Sequence, residues 1–263
     1  MDSKIGIVCL SYNQKTNIEK IITDLNGCKH KYKLFVCDDS SSDETECMLN
    51  QMNVDYYRET KNTKNQSRLR NIGIKNINSE YIIFIDGDDE ISSQNLDFLT
   101  ELLNDISCYD VVLLQLKHIV NENYNYYSNI FSHSENFHCS VSAYCIKKEI
   151  LLKYNLMFDE DKYNYYSEDV YFCFNLISSI RKHNLNYIEF DINVINVLYK
   201  NRENTSNKIH YKRYLEYMQE MKNDLLNLCE KDIHYKITNY FNNDMKNYNS
   251  LKDGYKNGDI IML

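Results

Sequence analysis

The chain has no proline and no tryptophan, and only six glycines in 263 residues. Without proline, no turn has its φ preset by a ring and no prolyl isomerisation limits folding. So few glycines largely exclude the Gly-rich cradles that wrap nucleotide phosphates. No Gly-x-x-x-x-Gly-Lys loop occurs, and no serine sits in a glycine elbow. Nothing approaches the ~18 consecutive apolar residues of a membrane helix. Met1 to Ile7 holds Asp2 and Lys4 and runs straight into a strand-like segment, so no signal peptide is expected. The nine cysteines (Cys9, Cys28, Cys37, Cys47, Cys108, Cys139, Cys145, Cys173, Cys229) form no Cys-x-x-Cys pair, which points to reduced, mostly buried thiols of a cytoplasmic protein. The seven histidines make no His-x-x-His or Glu-x-x-His metal pattern.

What is present is ordinary in bulk. The chain is 43% hydrophobic and 26% charged, and its length suits one compact domain with a small appendage. The 24 tyrosines, with many Asn, Lys and Ile, reflect a compositional bias, so single Tyr or Asn residues carry little functional meaning. The 30 Lys and Arg against 38 Asp and Glu leave a net charge of −8. An acidic chain without a dense basic stripe has no general electrostatic reason to bind nucleic acid.

Apolar bursts alternate with amphipathic stretches over the first half of the chain. Ile5 to Leu10, Leu34 to Cys37, Val54 to Tyr57, Tyr81 to Ile85 and Val111 to Leu116 read as strands. Between them, Ile18 to Leu25, Glu44 to Met52 (with Asp43 as its N-cap), Arg68 to Ile77 and Leu96 to Ile106 read as helices. Lys117 to His138 reads as a loop or hairpin, and Val141 to Ile146 as a strand. A helix from Lys147 to Tyr154, another from Glu168 to Ile180 and a strand from Ile188 to Tyr199 follow. From about Lys208 the pattern is polar and helical. This alternation predicts an α/β fold with a mostly parallel sheet and helices on both faces. In such sheets ligands bind at the carboxyl ends of the strands.

Two of those ends are acidic. Asp38-Asp39 closes one strand, and Asp86-Gly87-Asp88-Asp89 closes another. Carboxylates so close repel unless a cation sits among them, and hard oxygen donors suit Mg²⁺ or Mn²⁺ bridging protein to phosphate. Gly87 lets the backbone approach a ligand closely. A lone acidic turn more often caps a helix, but two at the ends of different strands favour a ligand. Asp38 and Asp39 offer acceptors to a ribose hydroxyl or a base N–H. Arg70 offers a fork of donors to a phosphate or a base carbonyl. Glu168-Asp169 opens a helix, where acids also complement the helix dipole.

The order Leu10-Ser11-Tyr12-Asn13, Val36 to Thr45, Arg70-Asn71-Ile72-Gly73, Tyr81 to Asp89 and Ser167-Glu168-Asp169 closely resembles family 2 glycosyltransferases of the GT-A fold. The resemblance spans about residues 4 to 206. It implies a GT-A domain over 1–206 and a C-terminal helical extension over 207–263. It places Leu10, Ser11 and Tyr12 beside the nucleotide base, with Asp39 accepting from uracil and Asn62 and Arg70 as further nucleotide contacts. The Asp-x-Asp motif falls on Asp86 and Asp88, with Asp88 the direct metal ligand and Asp86 nearer the ribose and donor sugar. Asp169 becomes the general base, with Glu168 as the alternative, and Arg202 in Arg202 to Ser206 lies over the donor diphosphate. The chain departs from the family at Leu10 (usually Pro), Ser40 (usually Gly) and Leu69 (usually Ala).

The expected function is an inverting transferase that uses a divalent metal (Mn²⁺ or Mg²⁺) to move sugar from a nucleotide-sugar, expected to be a UDP-sugar, to a glycan or lipid-linked acceptor in bacterial surface-polysaccharide synthesis. A retaining GT-A transferase, a sugar-nucleotide pyrophosphorylase and a phospho-acceptor or metal-sensing module are the alternatives. The pyrophosphorylase would need a Gly-rich basic loop after the first strand, where Ser11 to Thr16 has no glycine. The C-terminal helices suit a homodimer contact or simple packing better than a membrane surface, which would call for a stronger basic face. Peripheral contact with the inner face of the membrane stays open as the route to a lipid-linked acceptor.

Overall fold

The first strand, β1 (Ser3–Ser11), has no solvent face along most of its length, with Ile5, Ile7, Val8 and Cys9 fully buried. Such a strand must lie inside a sheet covered on both sides. The computed structural model describes residues 3–120, 123–127, 139–163, 168–199, 208–252 and 259–261. After β1 come α1 (Lys15–Asn26), β2 (Lys33–Asp38), α2 (Thr45–Gln51), β3 (Asp55–Arg58), α3 (Gln66–Asn76) and β4 (Ser79–Asp86). Next are β5 (Glu90–Ile91), α4 (Ser93–Asp105), β6 (Val111–Leu114), β7 (Leu116–Val120), β8 (Asn123–Tyr127), β9 (Tyr144–Lys147) and α5 (Lys148–Lys153). The elements α6 (Glu168–Lys182), β10 (Tyr187–Phe190) and β11 (Ile195–Tyr199) follow.

Seven strands form the main sheet in the order β10-β6-β9-β4-β1-β2-β3. Pairings are parallel except at β9, which runs against both β4 and β6. A second sheet has the order β5-β11-β7-β8. Helix α1 buries Ile18, Ile21 and Ile22, and α4 buries Leu96, Leu99 and Leu103, in the same cluster as Ile5, Ile7, Cys9, Ile83 and Ile85 of the sheet. On α3, Gly73 allows close packing, because a Cβ there would overlap the methyl groups of Val8.

Two compact units divide the chain, Met1–Leu198 and Tyr199–Leu263. The second contains β12 (Lys208–His210), α7 (Tyr211–Leu228), α8 (His234–Lys252) and β13 (Asp259–Ile261). Met218, Met221 and Leu225 of α7 are buried, as are Ile237 and Phe241 of α8. The polar pattern after Lys208 is helical as expected, but an antiparallel β12–β13 pair accompanies the helices.

Several sequence boundaries move for local reasons. The expected strand Val111 to Leu116 is two strands in different sheets, divided at Gln115, whose N–H donates to the Ile192 carbonyl at 2.9 Å. Ile188 to Tyr199 likewise divides, because Asn193 interrupts it: its carbonyl accepts from Asn95 Nδ2 at 2.7 Å and its side chain bonds Asn196 at 2.7 Å. Val141 to Ile146 begins as a 3₁₀ turn, Val141–Ala143, with Ser140 Oγ accepting from the Ser142 N–H, before β9 starts. Asp43 is not the N-cap of α2. Glu44 occupies that place with a left-handed φ of 63°, while Asp43 accepts from Lys15 N–H (2.9 Å) and the Thr45 hydroxyl (2.5 Å), tying the start of α1 to that of α2.

Ser40 also has a left-handed φ, 66°, which gives a physical reason for the glycine usual at this place. A Cβ there costs roughly 1 kcal/mol or more, partly offset by glycine's greater chain entropy. Ser40→Gly is therefore expected to stabilise the protein by about 0.5–1 kcal/mol, read as a higher urea midpoint with unchanged slope. A lower midpoint would refute the strain argument.

Candidate functional site

Parallel pairing sets the site. β1 pairs β2 with Ser11 opposite Asp38, and pairs β4 with Leu10 opposite Asp86. Three polar strand ends thus lie side by side where the strand order turns from β2 through β1 to β4, the position at which open α/β sheets bind ligands.

The two acids at the end of β2 both hold the loops around this place. Asp38 is fully buried, accepting from the Ser41 N–H (3.0 Å) and hydroxyl, with Arg58 Nε 3.7 Å away. Asp39 accepts from Thr63 N–H (2.7 Å), Thr63 Oγ1 (2.8 Å) and Lys64 N–H (2.8 Å), while its own N–H donates to the Ser11 carbonyl at 2.8 Å. Three donors leave the ionised carboxylate about one further acceptor position. Asn62 precedes this clamp, and its Oδ1 is buried without a partner, as are Ser11 Oγ and Arg70 Nε. Buried polar atoms of this kind call for an explanation, and a polar ligand is one. Tyr12 presents its ring to solvent (49% exposed).

The acidic turn closes on β1. Gly87 N–H donates to the Leu10 carbonyl at 2.7 Å, and a Cβ on Gly87 would come within 2.6 Å of that oxygen. Asp89 is buried and structural, its Oδ1 accepting from Leu198 N–H at 2.9 Å. Asp86 and Asp88 are half-buried. Among the described residues no group of three or more His, Cys, Asp or Glu could by itself hold a metal ion. Two hard carboxylates fit a cation whose remaining ligands come from a phosphate-bearing substrate and water.

Arg70 joins this turn to α6. It is 3% exposed, with Nη1 donating to Glu168, Nη2 donating to Asp86 at 3.1 Å, and the guanidinium carbon 5.3 Å from the Phe158 ring centre. Burial alone would lower its pKa, but the carboxylates of Glu168 and Asp86 hold it raised. Glu168 is itself buried and ion-paired. Asp169, half-buried, has its carboxyl pushed up to about 8 by burial and by Glu168, against the opposing pull of Arg70 and the Val170 N–H.

A polar face of α3 braces the segment that leads toward α6. Asn71 Nδ2 donates to the Phe158 carbonyl (2.9 Å) and Glu160 Oε1 (2.8 Å), and Asn71 Oδ1 accepts from Phe158 N–H (2.9 Å). Asn65 Nδ2 donates to the Glu160 carbonyl (3.0 Å), and Ser67 Oγ to the Tyr163 carbonyl (2.9 Å). Phe158 stacks on Phe172 of α6 at 4.1 Å.

The structure therefore gathers Ser11, Asp38, Asp39, Arg70, Asp86, Gly87, Asp88, Glu168 and Asp169 around one end of the sheet, with Asn62 beside the Asp39 clamp. Leu10 is buried, and its carbonyl anchors Gly87. Arg202, with the rest of Arg202 to Ser206, lies outside the described residues. Sequence reasoning assigned no site role to Thr63, Lys64, Asn65, Ser67 or Glu160, and Asn71 entered it only as part of the Arg70-Asn71-Ile72-Gly73 motif. Their signal was a helix whose inward face, Ser67, Arg70, Asn71 and Ile74, is more polar than a core-facing helix normally carries.

Residues 7–186 match the family described as glycosyl transferase family 2. The poly(ribitol-phosphate) beta-N-acetylglucosaminyltransferase TarS of Staphylococcus aureus is 25% identical over 121 residues, which make up 43% of this chain and 21% of TarS. The GalNAc(5)-diNAcBac-PP-undecaprenol beta-1,3-glucosyltransferase of Campylobacter jejuni is 25% identical over 108 residues, 39% of this chain and 35% of that protein. The match thus spans between a fifth and about a third of these relatives' length. Crystalline S. aureus TarS 1–349 in complex with UDP-GlcNAc superposes with a TM-score of 0.74 at 18% identity, over 97% of this chain and 76% of the other. The mannosyltransferase PcManGT from Pyrobaculum calidifontis, in complex with GDP-Man and Mn²⁺, superposes with a TM-score of 0.60 at 11% identity, over 97% and 76%.

Removing the Asn71 amide would leave the buried Phe158 N–H and carbonyl unpaired, each at about 1–3 kcal/mol. Asn71→Ala is expected to lower unfolding free energy by about 3 kcal/mol in urea denaturation. A loss under ~1 kcal/mol would mean that this brace is not a main support of the site.

Proposed function

The chain belongs to glycosyl transferase family 2 and has the GT-A fold, and we propose that it transfers a sugar from a UDP-sugar to a hydroxyl of a glycan or lipid-linked acceptor, inverting the anomeric carbon, in cell-surface polysaccharide synthesis. The observation that carries this reading is the convergence of the acidic turn and the Glu168-Asp169 pair, joined by Arg70. It brings the acidic turn and a candidate base together at one end of the sheet. The UDP-GlcNAc complex of the TarS fold neighbour supports a UDP-sugar donor, and the activities of the two relatives support glycan and lipid-linked acceptors.

In this reading the uracil ring N–H donates to the remaining acceptor position of Asp39, with Ser11, Asn62 and the exposed Tyr12 ring beside the nucleoside. Asp88 with Asp86 would hold Mn²⁺ or Mg²⁺, which when bound supplies positive charge against the diphosphate. Asp169 is the base: ionised, it takes the proton of the acceptor hydroxyl. That oxygen forms the new bond to the anomeric carbon as the bond to the diphosphate oxygen breaks, and UDP departs with the electron pair. Glu168 is less suited to this role, because it is buried and paired with Arg70.

Asp169→Asn is expected to lower kcat for sugar transfer about 10²- to 10⁴-fold, while UDP still raises the melting temperature. Asp88→Asn is expected to abolish the Mn²⁺-dependent part of UDP affinity in calorimetry. Transfer undiminished in both variants would falsify these roles. The sign of the pH dependence follows from the raised Asp169 carboxyl. A base works ionised, so activity should fall as pH drops through a value near 8, above the ordinary carboxylate range. Glu168→Gln removes the neighbouring negative charge and should move that acid limb to lower pH. A limb that stays fixed, or moves up, would contradict Asp169 as the titrating base.

A further inference from the structure

Helix α3 binds both halves of the site. Through Arg70 it holds Asp86 at the end of β4 and Glu168 at the start of α6, and through Asn65, Ser67 and Asn71 it holds the chain between Phe158 and Tyr163. We infer that Arg70 is a positioning residue that locks the donor-side acidic turn and the base-bearing helix into a single frame. This rests on the transferase reading above, and it assigns Arg70 a role other than the nucleotide contact that family resemblance implies.

Three observations support it. Both terminal nitrogens of Arg70 are engaged by carboxylates of two different elements, β4 and α6, so the guanidinium bridges segments far apart in sequence. The side chain is 3% exposed with Phe158 against its face, so its orientation is fixed by packing as well as by charge. Phe158 in turn stacks on Phe172 of α6 and meets Phe84 of β4 edge-on at 5.5 Å, so the apolar contacts join the same two elements as the polar ones.

A planar fork can make two directed bonds in one plane, whereas a lysine ammonium is a point charge on a flexible stem. The link is therefore specific to arginine. Glu168 gains a distinct role, as the handle by which Arg70 holds the helix that carries Asp169. Misplacing a reacting group by about 1 Å costs on the order of 10² in rate, so loosening the bridge should reduce turnover more than donor binding.

The test compares Arg70→Lys, Arg70→Gln, Glu168→Gln and the Arg70→Gln/Glu168→Gln double variant. Sugar transfer from a UDP-sugar is measured together with hydrogen–deuterium exchange of the intact protein. The expected kinetic result is a ~10- to 100-fold fall in kcat for each single variant, with donor KM within ~3-fold. The double variant should be within ~2-fold of Arg70→Gln alone, because the two residues act as one unit. Independent of activity, Arg70→Lys should speed exchange both in residues 84–90 and at the start of α6. The inference is overturned if donor KM rises while kcat holds, if the single effects add, or if exchange quickens only within α3. A wild-type protein that releases no UDP from any UDP-sugar would instead defeat the transferase reading, and the exchange pattern would still decide the frame.

Discussion

A buried guanidinium between two carboxylates holds this site together. Asp86 ends a central strand and Glu168 begins a helix 82 positions later, and each would repel the other without a cation between them. Arg70 supplies that cation from a third element, α3, with almost no exposure to water. A buried pair of this sort need not add net stability. Its consequence here is geometric, since it fixes the distance and direction from the acidic turn to the helix carrying Asp169. The Gly87 and Gly73 contacts then bring that turn and α3 close against β1.

The acids around the crevice divide by what they touch. Asp38, Asp43 and Asp89 accept backbone N–H groups and hold loops in place, so part of the net charge of −8 is structural. Asp39 is intermediate: clamped by Thr63 and Lys64, it keeps room for about one more donor. Asp86 is paired with Arg70, and the proposed function assigns it with Asp88 to a cation; Asp169 is the carboxyl whose proton affinity the surroundings raise. In the proposed reaction, loops clamped by some acids would give a preorganised site, in which little has to move when charge develops.

Much of this was legible in the sequence, and what was not has identifiable causes. The alternating apolar bursts located β1, β2, β4 and the helices between them, because central strands and core-facing helices follow local periodicity. The acidic strand ends followed from that order. The division of Val111 to Leu116 and of Ile188 to Tyr199 between two sheets was hidden, because an apolar run does not record which neighbour it pairs with. The Asp39 clamp, the Asn71 brace and the Arg70 bridge were hidden for a related reason: Thr63, Glu160 and Glu168 reach their partners across 24, 89 and 98 positions respectively. No local pattern encodes such contacts. Ser40 is the opposite case, a departure legible in the sequence whose meaning came only from its positive φ.

The proposed reaction is a single displacement at the anomeric carbon of a UDP-sugar, with Asp169 as the base. Slow hydrolysis uses water as the acceptor, so it reads the stereochemistry without the natural acceptor. The deciding measurement is proton NMR of the first-formed sugar when the protein is mixed with an α-linked UDP-sugar and Mn²⁺. With inversion the β anomer appears first and then mutarotates, and Asp169→Asn slows its appearance. First appearance of the α anomer would contradict the single displacement and the role given to Asp169.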